Sequence, residues 1–175
     1  MWALFLEQWN GISFFLESQD TNAEDLQFFT DATPTGFGGF YQGKWFSGRF
    51  EDNMIPDNTK ASMALFELYP IVMATVLWGH SWGRKKIIVN CDNAATVDII
   101  NKGRSKVPFI MKFVRKLIWL EAKHNFLIRA KFIPGKTNCI SDALSRFNLQ
   151  KFRRLAPQAD QTPTPCLLAS ELMLF

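Results

Sequence analysis

The chain has 175 residues, 47% of them hydrophobic, which is enough for one domain with a proper core. Three cysteines, Cys91, Cys139 and Cys166, are odd in number and far apart, without a CxxC or Cys/His cluster; this speaks against a disulfide framework and a zinc site and fits a reducing, intracellular compartment, cytoplasmic or nuclear. The net charge of +4 is unevenly spread, with 3 Lys/Arg against 10 Asp/Glu in residues 1–83 and 17 against 4 in residues 84–154, so the second half reads as a folded basic surface facing a polyanion, most often nucleic acid.

The opening MWALFLEQWNGISFFLE is apolar and aromatic, but it has no basic start, contains Glu7 and breaks at Asn10-Gly11. It reads as neither a signal peptide nor a membrane span. Residues 26–50 predict three short antiparallel strands, LQFFTDA, GFGGFY and KWFSGRF, separated by Thr-Pro-Thr-Gly and Gln-Gly turns. Apolar residues at helical spacing predict a helix over 61–82, with Pro70 expected to kink it.

KKIIVNCD, residues 85–92, reads as a buried strand, followed by a helix over NAATVDIINKG that Gly103 stops. A second helix follows Pro108. FLIRAKFI alternates as a strand, Pro134-Gly135 turns the chain, and Asn138 is expected to cap a last helix, CISDALSRF. The segment after Phe147 is rich in Pro and polar residues and reads as a linker. The expected fold class is α/β with a five-stranded mixed sheet, three antiparallel strands then two parallel ones, and flanking helices. The 61–82 helix acts as the crossover that sets strand 86–92 parallel to strand 26–32.

This topology places Asp31 and Asp92 near the carboxyl ends of neighbouring strands, roughly 5 Å apart by strand spacing. Glu67 shares the inward helix face with Ala64, Ile71 and Ala74, and Asp142 opens the last helix. Each acid has an ordinary explanation: a turn residue for Asp31, a helix N-cap for Asp92, a snorkelling side chain for Glu67, and a dipole partner paired with Arg146 for Asp142. Four carboxylates on elements that one crossover brings together nevertheless repel strongly unless they hold divalent metal. His80 and His124 lie elsewhere, and Trp45, Trp78, Trp82 and Trp119 read as packing residues before stacking ones.

FTDAT with Gly36-Phe37-Gly38-Gly39, the helical Glu67, VNCDNAA and ISDALSR resemble the acidic motifs of type 1 ribonuclease H. PGKTNCISDALSR resembles the ending of gypsy-type retroelement ribonuclease H domains. WNGISFF, CDNAATVDIINKGRS and SRFNLQKFRRLAPQAD are similar to DIRS-type tyrosine-recombinase retrotransposons. The resemblance implies a ribonuclease-H-like fold over residues 26–148, a connector from an upstream reverse transcriptase over 1–25 and a C-terminal linker over 149–175, with reverse transcriptase and tyrosine recombinase domains fused or adjacent. It also implies that Asp31, Glu67, Asp92 and Asp142 hold two Mg2+ ions, with Mn2+ able to substitute, and cleave the RNA strand of an RNA/DNA hybrid.

Two features depart from that pattern. Lys136 follows Pro134-Gly135 where many relatives carry a histidine, and no basic handle separates the two middle helices. The expected nucleic-acid contacts are Asn93, Lys102, Arg104, Lys106, Lys112, Arg115 and Lys136. Two rivals stand beside this reading. One is a catalytically weak binding or scaffold module of the same fold; the other is an integrase or transposase, which would place a Glu on a late helix instead of second in order.

Overall fold

The structure, a computed structural model, describes residues 3, 6–7, 19–20, 28–51 and 63–174. Most of the expected 1–25 connector, WNGISFF included, lies outside the described residues. Strand β1, Phe28–Ala32, ends where Thr33 turns the chain, its Oγ1 accepting the Gly36 N–H at 3.0 Å. Strand β2, Gly36–Tyr41, turns into β3, Lys44–Arg49, through Gln42 and Gly43, both at positive φ (47° and 86°). That two-residue geometry matches the twist of the flanking strands.

Helix α1, Met63–Trp78, continues unbroken through Pro70 and is buried around nearly its whole circumference. With the 3-10 turn that continues it to Ser81 it is long and apolar enough to cross a membrane by length and composition, yet most of it is wrapped in protein, as expected for a core helix. Strand β4, Lys85–Cys91, leads to α2, Ala94–Lys102, which stops at Gly103 with φ 61°. Helix α3, Pro108–His124, starts on its proline, whose missing N–H costs nothing there, and ends at Asn125 with φ 54°. Strand β5 is Leu127–Phe132, and two short helices follow, α4, Cys139–Ser145, and α5, Leu149–Leu155.

The main sheet is mixed and five-stranded, in the order β3-β2-β1-β4-β5. β1, β2 and β3 are antiparallel; β4 runs parallel to β1 (Phe29 opposite Asn90) and to β5 (Lys86 opposite Leu127, through Cys91 opposite Phe132). A two-residue strand, Gln19–Asp20, adds parallel to the start of β4. One face packs on α1 and α3, with Phe28, Phe46, Leu68, Ile71, Ile87 and Phe113 fully buried. The other face carries a smaller core of Phe40, Trp45, Leu144 and Phe152.

Residues 149–174, expected as a linker, belong to the domain. Phe152 of α5 is fully buried, its ring 6.1 Å from Phe40 and 5.0 Å from Trp45. The chain then runs along β3, with Asp160 N–H donating to the Gly43 carbonyl (2.9 Å) and Thr164 N–H to that of Trp45 (2.7 Å). Trp45 Nε1 donates to the Asp160 carbonyl at 2.7 Å, and Leu172 buries completely beyond. Proline-rich composition hid this packing because an extended segment laid on a sheet edge has no helical or alternating pattern of its own. Phe152→Ala is expected to cost about 3–5 kcal/mol, as for other fully buried aromatics. Urea unfolding measures this; a change under 1 kcal/mol would mean the tail is only loosely attached.

Candidate active site

Four elements bring the predicted acids to the carboxyl ends of β1 and β4. Asp31 is the fourth residue of β1 and Asp92 follows the last residue of β4, so the parallel pairing sets them on neighbouring strand ends. Glu67 comes from the first half of α1 and Asp142 from the first turn of α4. Asp31 is 6% exposed and Glu67 3%, whereas Asp92 and Asp142 are half-buried.

Glycines make these approaches possible. A Cβ on Gly38 would lie 2.4 Å from Leu144 Cβ, so its absence lets α4 settle directly on β2. A Cβ on Gly135 would lie 2.8 Å from Asp92 Oδ2, so a larger residue there would push that carboxylate out of its present position.

Helix α4 then reaches back to Asp31. Ser145 Oγ donates to Asp31 Oδ2 at 2.5 Å, and Asn138 Nδ2 donates to the Thr30 carbonyl at 2.9 Å, lying 3.5 Å from Asp31 Oδ1. Asn138 stands at the N-cap position but does not cap through its side chain; its Oδ1 accepts from Ser141 Oγ. The expected cap thus becomes a tie between α4 and β1. Asp92 likewise is not the cap of α2. Asn93 is, its Oδ1 accepting the Thr96 N–H at 3.0 Å, which leaves the Asp92 carboxylate free of that duty.

Electrostatics bind the acids into one set. Burial foremost, then the Asp92 and Asp142 charges, push Asp31 up to about 6, although the Ser145 hydrogen bond pulls the other way. Burial and the charges of Asp31 and Asp92 push Glu67 up to about 9. Glu67 Oε2 is buried and has no hydrogen-bond partner. For Asp142 burial acts upward, but hydrogen bonds and charge from Arg146 and Lys151 outweigh it and hold the carboxyl below its ordinary value. Arg146 Nε lies 2.6 Å from Asp142 Oδ1 and Lys151 Nζ 3.0 Å from Oδ2.

Ligand atoms of Glu67, Cys91 and Asp92 all lie within 4.8 Å of one another, and neither Asp31 nor Asp142 joins that group. Cys91 is an addition that the acidic pattern did not announce. Its thiol is fully buried and pushed up to about 12 by burial and by Glu67, so it stays protonated and is a poor ligand. The remaining donors are carboxylate oxygens, the set a hard divalent cation takes.

The expected nucleic-acid contacts divide. Asn93 sits beside Asp92, and Lys136 follows Gly135 at the same edge. Lys102, paired with Asp98 at 2.7 Å, closes the opposite end of α2, about 13 Å along the axis. Arg104 and Lys106 lie beyond it, and Lys112 and Arg115 belong to α3, which packs on α1. Trp45, Trp78 and Trp82 are buried in the cores. Besides Cys91, two residues at the site carry no mark in the acidic pattern. Ser145 follows Asp142 by three and so shares its helix face, a usable signal; Lys151 arrives on a separate helix and offered none. No protein-family model matches the chain, and no curated protein matches it.

Proposed function

We propose that the chain is a type 1 ribonuclease H domain of retroelement kind, with a ribonuclease-H-like fold, hydrolysing the RNA strand of RNA/DNA hybrids. The observation that carries this reading is the meeting of Asp31, Glu67, Asp92 and Asp142 from four separate elements, with Glu67 Oε2 buried and unpartnered. A buried acid that its neighbours' charges and its burial hold protonated ionises readily only beside a cation, and the oxygen donors fit magnesium, with manganese as a substitute. Bound there, such ions would neutralise the cluster and lower the pKa of an attacking water. Asp31, Glu67, Asp92 and Asp142 would hold them; Ser145 keeps Asp31 turned into the site, and the N-terminus of α2 with Lys136 favours a phosphate.

Asp142, with both oxygens already paired to cations, favours as second reading a binding module of low activity. A cleavage assay with end-labelled RNA/DNA hybrid and duplex DNA separates the two. The expected result is magnesium-dependent cutting of the hybrid RNA strand alone, leaving 5′-phosphate and 3′-hydroxyl ends. Hybrid bound but uncut in both Mg2+ and Mn2+ would leave the binding module.

A further inference from the structure

Helix α5 has a fixed base and a free head. Asn148 accepts the Lys151 N–H at 3.0 Å, Phe152 is buried, and Arg153 stacks 5.2 Å over Trp45 while donating to the carbonyls of Ala159, Asp160 and Gln161. Lys151 stands on this anchored turn, yet its side chain is 40% exposed and ends 3.0 Å from Asp142 Oδ2. Arg146 holds the other oxygen from the same helix as Asp142, as i,i+4 spacing dictates. The second cation has no such local origin: it requires all of α5.

We propose that Lys151 is a built-in counter-ion for Asp142, which an entering divalent cation displaces and which then turns to a substrate phosphate. This rests on the metal-binding reading of the four acids. A lysine suits the role because its ammonium is a compact, well-hydrated charge on a flexible stem, and a partly exposed pair is weak enough to give way. Together with Arg146, the pair offsets the Asp142 charge while no divalent ion is bound, at the cost of a modest competition with the metal.

Mn2+ titration of the full chain, followed by the electron paramagnetic resonance signal of the free ion, tests this without relying on catalysis. Lys151→Gln is expected to bind Mn2+ roughly two- to fivefold more tightly than wild type, the range set by a weak ion pair, and to raise KM for hybrid. Lys151→Arg, which keeps charge and contact, is expected to bind no more tightly than wild type. Arg154→Gln removes the same charge from an exposed residue one turn further along α5 and controls for long-range electrostatics. Equal affinities for Lys151→Gln and Arg154→Gln, or weaker binding by Lys151→Gln in a protein with wild-type near-ultraviolet circular dichroism, would overturn the proposal while the nuclease reading stood. Wild type that binds no Mn2+ would overturn both.

Discussion

Asp31→Asn is expected to raise the melting temperature of the ion-free protein at pH 7.5 by roughly 2–8 °C, while abolishing magnesium-dependent cleavage of hybrid. Burial and the neighbouring Asp92 and Asp142 charges raise the Asp31 carboxyl from 3.8 to about 6. The native state therefore binds more protons than the unfolded chain, and its stability falls as pH rises from about 4 through 6. Above that window the loss amounts to about 3 kcal/mol. Asparagine removes the charge, and its amide oxygen still accepts from Ser145. Its NH2 then faces Asn138 Nδ2, 3.5 Å from the present Oδ1, so the net gain is smaller, about 1–2 kcal/mol.

Glu67 acts in the same direction over a wider range, from about 4.5 to 9. Ion-free wild type should thus lose stability steadily from acid to mildly alkaline pH. Magnesium, by binding only the assembled site, should restore it in proportion to RT ln(1 + [Mg]/Kd), and the mutant should gain less. Scanning calorimetry across pH 5–9 with and without magnesium measures all of this. An equal magnesium shift in both proteins, with hybrid still cut at the wild-type rate by Asp31→Asn, would refute the assignment of Asp31 to the metal site.

Gly38→Val should be damaging although it alters no charge: Gly38 stands directly opposite Asp31 in the β1–β2 ladder, and its neighbour across the sheet face is α4. The added Cβ would stand 2.4 Å from Leu144 Cβ and 3.0 Å from the Leu144 carbonyl carbon, so the α4 backbone itself has to move. Overpacking of this kind costs about 1–3 kcal/mol, and the branched valine belongs at the upper end. Helix α4 carries both Asp142 and Ser145, and a displacement on the order of 1 Å in a catalytic group lowers turnover by about 10²-fold. Gly83→Ala is the control, because its Cβ would meet nothing closer than 3.5 Å and its backbone is not in the left-handed region. Urea unfolding and kcat at saturating magnesium measure the two effects. Should Gly38→Val keep wild-type turnover, close seating of α4 would not be what positions Asp142.

The sequence by itself determined the parts of this protein that local spacing dictates. Alternation and turn residues placed β1, β2 and β3; Gly103, Pro108 and Pro134-Gly135 marked real ends and starts; and one crossover sufficed to bring Asp31 beside Asp92. Glu67 is buried as its place beside Ala64, Ile71 and Ala74 implied, although α1 is enclosed on nearly every side, so its surroundings and not one helix face decide that burial.

Only the tertiary structure decided which of two adjacent residues, Asp92 or Asn93, caps α2, and that Asn138 ties α4 to β1 instead of capping it. It also decided that α5 brings Lys151 to Asp142. Each of these depends on which partner stands opposite a side chain. For Asn138 and Lys151 that choice was set by Thr30 and by the slot between Phe40 and Trp45, more than 100 residues away in sequence, where no periodicity within one element can register it.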